Sequence, residues 1–259
     1  MKHLNVLDIK KLKLKITEMK KPDLKMALLI MLLVALFLPF PFLENFQKDF
    51  LFNNDFWVTT SFLKFGLLAT LGEMIGLRIS TGVYNNKGFG LLPRAIVWGF
   101  LGIGIKMAFV IFAVGTPVLV QKYFHIHHAI ASMKSNDYFS ASSIGLGGAR
   151  IATAFFISTF MNLIFAPVFM TLHKITDMHI IANGGTLKGF FTPIKFYEIF
   201  PKLNWSVQWN FVFKKTIPFF WIPAHTITFL MPSEYRIVFA ALLGIILGII
   251  LTIATQKSK

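Results

Sequence analysis

Residues 58–79 read VTTSFLKFGLLATLGEMIGLRI, a nearly continuous apolar stretch that contains Glu73. At about 1.5 Å per residue, a helix of this length crosses a hydrocarbon core of roughly 30 Å. A carboxylate is costly at that depth, so it usually faces a protein interior or a water-filled path. The stretch therefore predicts a membrane-spanning helix whose Glu73 side chain faces the inside of the protein.

Similar stretches recur along the chain of 259 residues, of which 55% are hydrophobic. The mean hydropathy is +0.66. Six segments are long and apolar enough to be candidate spans. They are residues 26–43, 58–79, 94–120, 150–172, 211–231 and 235–254. The sequence thus predicts an all-α fold, a polytopic transmembrane helical bundle, with residues 26–259 as one membrane domain.

The first 25 residues carry eight lysines among leucines and isoleucines. This pattern is typical of a basic amphipathic segment on the cytoplasmic surface, where it would meet anionic lipid head groups. The net charge of +15 has the same explanation, and no nucleic-acid module is visible. A cleaved signal peptide is the rival interpretation. Residues 38–42, LPFPF, offer no small residues at a cleavage position, so we expect an uncleaved first span.

The charges between the spans predict the orientation. The linker after the first span holds three acidic residues and one lysine, whereas the next holds Arg78, Lys87 and Arg94. This bias places both termini in the cytoplasm. A bacterial cytoplasmic membrane is the default location, because no organelle-targeting signal is clear. The fifth span contains Pro218 and Pro223, which predicts a kinked or re-entrant segment.

Two spans carry faces of small residues, each with one charge. In the second span, Gly66, Ala69, Glu73, Gly76 and Ser80 recur at spacings of three and four. In the third span, the corresponding face consists of Ala95, Gly99, Gly102, Lys106, Phe109 and Ala113. Small residues let helices approach closely, so both faces are expected to pack inside the protein.

Glu73 and Lys106 would relieve the cost of isolated charges if they paired, although their estimated depths differ by roughly 10 Å. Such a pair could line a path for a solute or simply fix the helix register. Asn162 and His225 could add hydrogen-bonding groups to the same interior. For both, the alternative is structural: Asn162 could join helices, and His225 could cap carbonyls freed by a helix break.

Several other chemistries lack support in the sequence. Without cysteine, thiolate sites and disulfides are excluded. His125, His127 and His128 fall in a predicted loop without a carboxylate at ligand spacing, so no metal or cofactor is predicted. No catalytic motif lies at usable spacing within the spans, so an enzyme is not predicted. Gly244 and Gly248 form a close-packing motif, compatible with a homo-oligomer.

Residues 221–236 read WIPAHTITFLMPSEYR and precede the last span directly. The stretch resembles the C-terminal signature of the 22-kDa peroxisomal membrane protein family, in which a tryptophan–proline pair, an asparagine–phenylalanine pair, a second proline and an arginine precede the final helix. The matching residues are Trp221, Pro223, Phe229, Pro232 and Arg236. Leu71-Gly72-Glu73 is similar to the family's leucine-glycine-aspartate motif in an early helix, which marks Gly72 and Glu73 as family-like positions.

The resemblance is looser elsewhere: Ile222 separates Trp221 from Pro223, and Thr228 stands in place of the asparagine. It implies a divergent, bacterial relative with a compact core of about four membrane helices; some family members are thought to form channels for small solutes. We therefore expect a low-specificity channel for small solutes or ions, with Glu73, Lys106, Asn162 and His225 in its interior. The alternative is a membrane scaffold or assembly factor that transports nothing.

Overall fold

The structure is a computed structural model that describes residues 21–37, 40–134 and 146–257. Within these ranges the secondary structure is entirely helical, with no β-strand, which confirms the all-α prediction. The chain forms two compact units, Met1–Asn53 and Asn54–Lys259. Most of the predicted basic segment, residues 1–20, lies outside the described residues.

The first unit contains helix α1, Lys21–Ala35, followed by three short turns of helix at Pro41–Leu43, Glu44–Phe46 and Gln47–Leu51. The side-chain amide of Gln47 donates to the carbonyl of Leu36 at 2.8 Å, so the segment folds back toward the end of α1. With 15 residues, α1 is about 23 Å long. It ends at Ala35, before the predicted limit of residue 43.

The second unit contains six helices of nine or more residues besides one long π-helix. They are α2 (Trp57–Thr81), α3 (Leu91–Tyr123), α4 (Leu146–Ile164), α5 (Ala166–Ala182), α6 (Ile222–Leu230) and α7 (Arg236–Lys257). The π-helix covers Gln208–Trp221. Short helices are Asn54–Phe56, Ala129–Lys134, Leu187–Phe190, Phe196–Ile199, Phe200–Lys202 and Trp205–Val207.

Prolines explain where two helical segments break. The fourth predicted span, residues 150–172, is two helices, because α4 ends at Ile164 and α5 begins at Ala166 with Pro167 in its first turn. Proline lacks the N–H that would continue the hydrogen-bond ladder. Likewise, Pro218 lies inside the π-helix and Pro223 in the first turn of α6, where the π-helix gives way to an α-helix.

Glycines let α2 and α3 approach closely. A Cβ on Gly102 would lie 2.5 Å from the Cβ of Phe65 and 2.7 Å from the carbonyl oxygen of Ser61. A Cβ on Gly66 would lie 3.0 Å from the carbonyl oxygen of Ala95. The sequence predicts that each face packs inside the protein, and in the structure the two faces pack against each other.

The loops after α2 and α5 meet at one end of this unit. Gly90 and Gly185 both have a positive φ, and a Cβ on Gly90 would lie 2.5 Å from Ile180 and 3.0 Å from Gly185. A Cβ on Gly185 would lie 2.6 Å from the backbone of Gly88. Only glycine combines this backbone conformation with such close approach, so the two loops are fixed side by side.

Within the described part of the chain, α3 and α4 are long and apolar enough to cross a membrane. One side of α3 carries large apolar side chains that are half exposed or more: Phe100, Met107, Ile111, Val114 and Val118. A soluble protein rarely exposes a continuous apolar surface of this kind. These helices indicate membrane localisation.

Candidate functional site

Polar side chains, most of them half-buried, gather near the end where the loops after α2 and α5 meet. We call this cluster the Glu73 network. Its members are Glu73 of α2, Arg94 and Trp98 of α3, and His173, Lys174 and Asp177 of α5. The network joins three helices, and its charges come from residues that are far apart in the sequence.

Glu73 is the carboxylate at its centre. Its Oε2 lies 2.5 Å from Nη1 of Arg94, and its Oε1 accepts from the indole Nε1 of Trp98 at 2.8 Å. Nε2 of His173 lies 3.3 Å from the same Oε1. The His173 ring also packs over Trp98, with 4.4 Å between ring centroids. Glu73 therefore has a partner on each of two neighbouring helices.

Arg94 links the two carboxylates. Its side chain is only 10% exposed and forms ion pairs with both Glu73 and Asp177. Its Nε donates to the carbonyl of Phe89 at 2.7 Å. Asp177 receives a second cation, because Nζ of Lys174 lies 2.9 Å from its Oδ2. Two carboxylates and two cations thus balance each other, which is the condition under which buried charges are tolerated.

Helical spacing explains how these side chains come together. Arg94 and Trp98 are four residues apart on α3, and His173 and Asp177 are four residues apart on α5. Residues at this spacing lie on the same helix face. Each helix thus presents two polar side chains toward Glu73 of α2 or toward its partners.

The network lines a narrow recess with Val97, Thr176 and Ile180, and this recess has no space for a water molecule. Charges that are tightly packed and paired in this way stabilise a single arrangement of the helices. An ion could enter only if the helices moved apart.

Lys106 is not among the partners of Glu73. It lies twelve residues beyond Arg94 on α3, about 18 Å along the helix. It is partly buried, and its charge interacts with those of Lys64 on α2 and Arg236 at the start of α7. The structure therefore pairs Glu73 with Arg94, and it places Lys106 in a separate, cationic part of the interior.

Asn162 and His225, which the sequence assigns to one polar interior, contact each other directly. The Asn162 side-chain nitrogen lies 3.0 Å from Nδ1 of His225, and both residues are buried. Asn162 also donates to the carbonyl of Ser158 at 2.8 Å, and the Ser158 hydroxyl donates to the carbonyl of Ile222 at 2.7 Å. These contacts connect α4 to α6. The His225 ring packs edge-on against Phe109 of α3.

The family-like motif forms the corner between α6 and α7. The Arg236 guanidinium donates to the carbonyls of Met231 and Phe229 at 3.0 and 3.1 Å. It thereby satisfies groups that the end of α6 leaves without helical partners. Phe229 is fully buried, and Pro232 lies in the turn. The ring of Trp221 stacks on His225 with 5.1 Å between centroids.

Two further family-like positions also have structural roles. Pro223 starts α6, and Gly72 lies against α7, where its Cβ would be 3.0 Å from the side chain of Ile245. The quoted motif residues therefore position helices, and Glu73 is the family-like residue that belongs to a charge network.

Sequence reasoning missed the partners of Glu73. Arg94 was assigned to topology, as a positive residue at the start of a span. Asp177 and His173 lie beyond residue 172, the predicted end of the fourth span. The four-residue spacing of His173 and Asp177 beside an apolar helix was a signal for an inward polar face, although it does not identify the neighbouring helix.

Comparisons of the chain with protein-family models, curated proteins and solved structures find no match. The resemblance to the 22-kDa peroxisomal membrane protein family therefore rests on the quoted residues.

Proposed function

We propose that this protein is a polytopic membrane protein whose interior conducts small solutes or ions when its helices move apart. The arrangement of α3 supports the proposal. At about 100° per residue, Arg94, Trp98, Lys106 and Phe109 fall within roughly one third of the helix circumference. This side contacts the Glu73 network, the Lys106 region and His225, and the opposite side carries the exposed apolar residues. Ionisable groups inside membrane helices commonly mark solute or proton pathways.

The proposed topology has six crossings: α1, α2, α3, α4 with α5, the π-helix with α6, and α7. Both termini then lie in the cytoplasm, in a bacterial cytoplasmic membrane. The meeting of Gly90 with Gly185 supports this order, because the loops after α2 and α5 would lie on the same side. Those loops also carry Lys87 and Lys188 on the proposed cytoplasmic side, as the positive-inside rule requires.

Flux through reconstituted liposomes tests conduction. We expect the wild type to release small ions faster than empty liposomes, and Lys106→Met to change the rate or the cation-to-anion ratio. A change of about five-fold corresponds to roughly 1 kcal/mol on the barrier. Lys122→Met is the matched control, because Lys122 is exposed near the end of α3. Each variant must match the wild type in yield and insertion. Equally tight liposomes across a broad solute panel would contradict conduction.

The second candidate is a scaffold or assembly factor. The dry recess favours it, because the Glu73 network is fully paired and leaves no space for water. A scaffold predicts no flux for wild type or variants.

A homo-oligomer fits either function, since a Cβ on Gly244 would meet no atom within 4 Å inside the described chain. With either function, we propose that residues 1–25 contact anionic lipid head groups.

A further inference from the structure

Residues 187–215 combine outward aromatic rings with lysines, and we call them the aromatic–basic segment. The exposed rings are Phe191, Phe196, Tyr197, Phe200, Trp205, Trp209 and Phe211. Phe191 and Tyr197 are 74% and 76% exposed. The segment holds five lysines and one glutamate, a net charge of +4. Such a surface has both an apolar and a cationic component.

The backbone of this segment is held in place without burying those rings. The Thr186 hydroxyl accepts from the N–H of Gly189 at 3.0 Å, and Oδ1 of Asn204 accepts from the N–H of Val207 at 3.1 Å. Leu203 and Gln208 are buried beneath. Since the rings remain exposed in an ordered segment, their apolar area is available to a partner outside the chain.

The single carboxylate of the segment is neutralised locally. Glu198 accepts from the Tyr197 hydroxyl at 2.9 Å and lies 3.1 Å from Nζ of Lys195. The hydrogen bond from Tyr197, together with that from Lys195, lowers the pKa of Glu198. The remaining lysines, including the exposed Lys188 and Lys202, leave the surface positive.

We infer that the aromatic–basic segment lies in the membrane interface and binds the anionic head groups of the cytoplasmic leaflet. Tryptophan and tyrosine rings favour the head-group level of a bilayer. Lysines beside them gain about 1 kcal/mol each near an anionic surface. The segment follows α5, whose end meets the loop after α2, so it lies on the proposed cytoplasmic side. The inference rests on the proposed membrane topology.

Spin labelling tests the inference, because the chain has no cysteine and one engineered cysteine labels one position. Ser206→Cys places a nitroxide beside Trp205 and leaves every ring intact. The full-length protein is reconstituted in vesicles of phosphatidylcholine alone or mixed with phosphatidylglycerol. Oxygen and a water-soluble nickel complex then report the depth. With anionic lipid, we expect a depth of about 5–10 Å below the surface, and a shallower position without it.

Two matched pairs of lysine substitutions test whether the segment binds anionic lipid through its lysines. Lys188→Gln with Lys202→Gln is expected to abolish the difference between the two vesicles. The control pair, Lys122→Gln with Lys134→Gln, removes the same amount of charge near the end of α3 and in the next helix. It should leave the difference between the two vesicles unchanged. If both pairs of substitutions abolish the difference in label depth equally, the inference is overturned. So would a label that remains in water, or one that is equally protected in both vesicles, which would indicate a contact between protein copies.

A second label separates this inference from the proposed topology. Val114→Cys lies on the exposed apolar side of α3 and should report a deep position in both vesicles. If Val114→Cys is deep and Ser206→Cys is in water, the interface assignment fails and the membrane topology stands. If Val114→Cys is in water, the topology itself fails.

Discussion

Glu73 shows which features of the site could be predicted from one residue and which could not. Its place inside an apolar stretch was sufficient to predict an interior carboxylate with a partner. Its actual partners, Arg94, Trp98 and His173, depend on which helices are neighbours, and periodicity within one helix contains no such information. By contrast, Asn162 and His225 were predicted to share the interior, and the structure joins them directly.

We expect Glu73→Gln to destabilise the protein, because Arg94 would lose one of its two carboxylate partners. Breaking a buried pair costs about 3–5 kcal/mol. Since Asp177 still contacts Arg94, we expect roughly 2 kcal/mol. Arg94→Gln should lower the free energy of unfolding by more, because both Glu73 and Asp177 would lose their arginine partner. The free energy of unfolding in mixed detergent micelles measures both effects.

The control for these variants is Glu234→Gln, which removes an exposed carboxylate and should change the unfolding free energy little. Equal effects of Glu73→Gln and Glu234→Gln would show that the Glu73 network contributes nothing to stability.

Helix packing was the part of the fold that residue patterns predicted best. The small-residue faces of α2 and α3 meet, because spacings of three and four define a helix face and glycine allows close contact. Element boundaries were harder to predict. The segment 150–172 showed no clear internal break, yet Pro167 divides it into α4 and α5, and α5 continues to Ala182 because its polar residues have partners on other helices.

Two glycines of α3 provide a matched pair of substitutions. A Cβ on Gly102 would meet the Phe65 side chain and the Ser61 carbonyl, whereas a Cβ on Gly104 would meet nothing within 4 Å. We expect Gly102→Ala to destabilise the protein by about 1–3 kcal/mol through overpacking. Gly104→Ala should be neutral or stabilising by up to about 1 kcal/mol, because alanine favours helix.

Thermal unfolding of both glycine variants in the same detergent would measure the difference. Similar midpoints for the two variants would mean that α2 and α3 do not pack through Gly102.

At the scale of the molecule, the arrangement of loops makes the orientation testable. Charge bias alone predicted both termini in the cytoplasm, and the contact between the loops after α2 and α5 adds only that these two loops lie at the same end of the unit. Neither observation came from apolar periodicity, which predicts that a helix crosses the bilayer and leaves its direction open.

Single cysteines in sealed membrane vesicles check the orientation. Asn85→Cys, in the loop after α2, and Ala182→Cys, at the end of α5, replace exposed residues and are expected to react with a membrane-impermeant thiol reagent from the same side. His127→Cys, in the turn after α3, should react from the opposite side. Labelling of all three from one side would contradict the proposed crossings.

The charge balance of the Glu73 network has an electrical consequence. A transmembrane voltage of 100 mV does about 2.3 kcal/mol of work on one elementary charge carried across the bilayer. The charges of Glu73 and Asp177 are matched by those of Arg94 and Lys174, so a displacement of the whole cluster along the field involves almost no work. Voltage would act on these helices only by separating the partners, and a helix movement that keeps them together would be insensitive to the membrane potential.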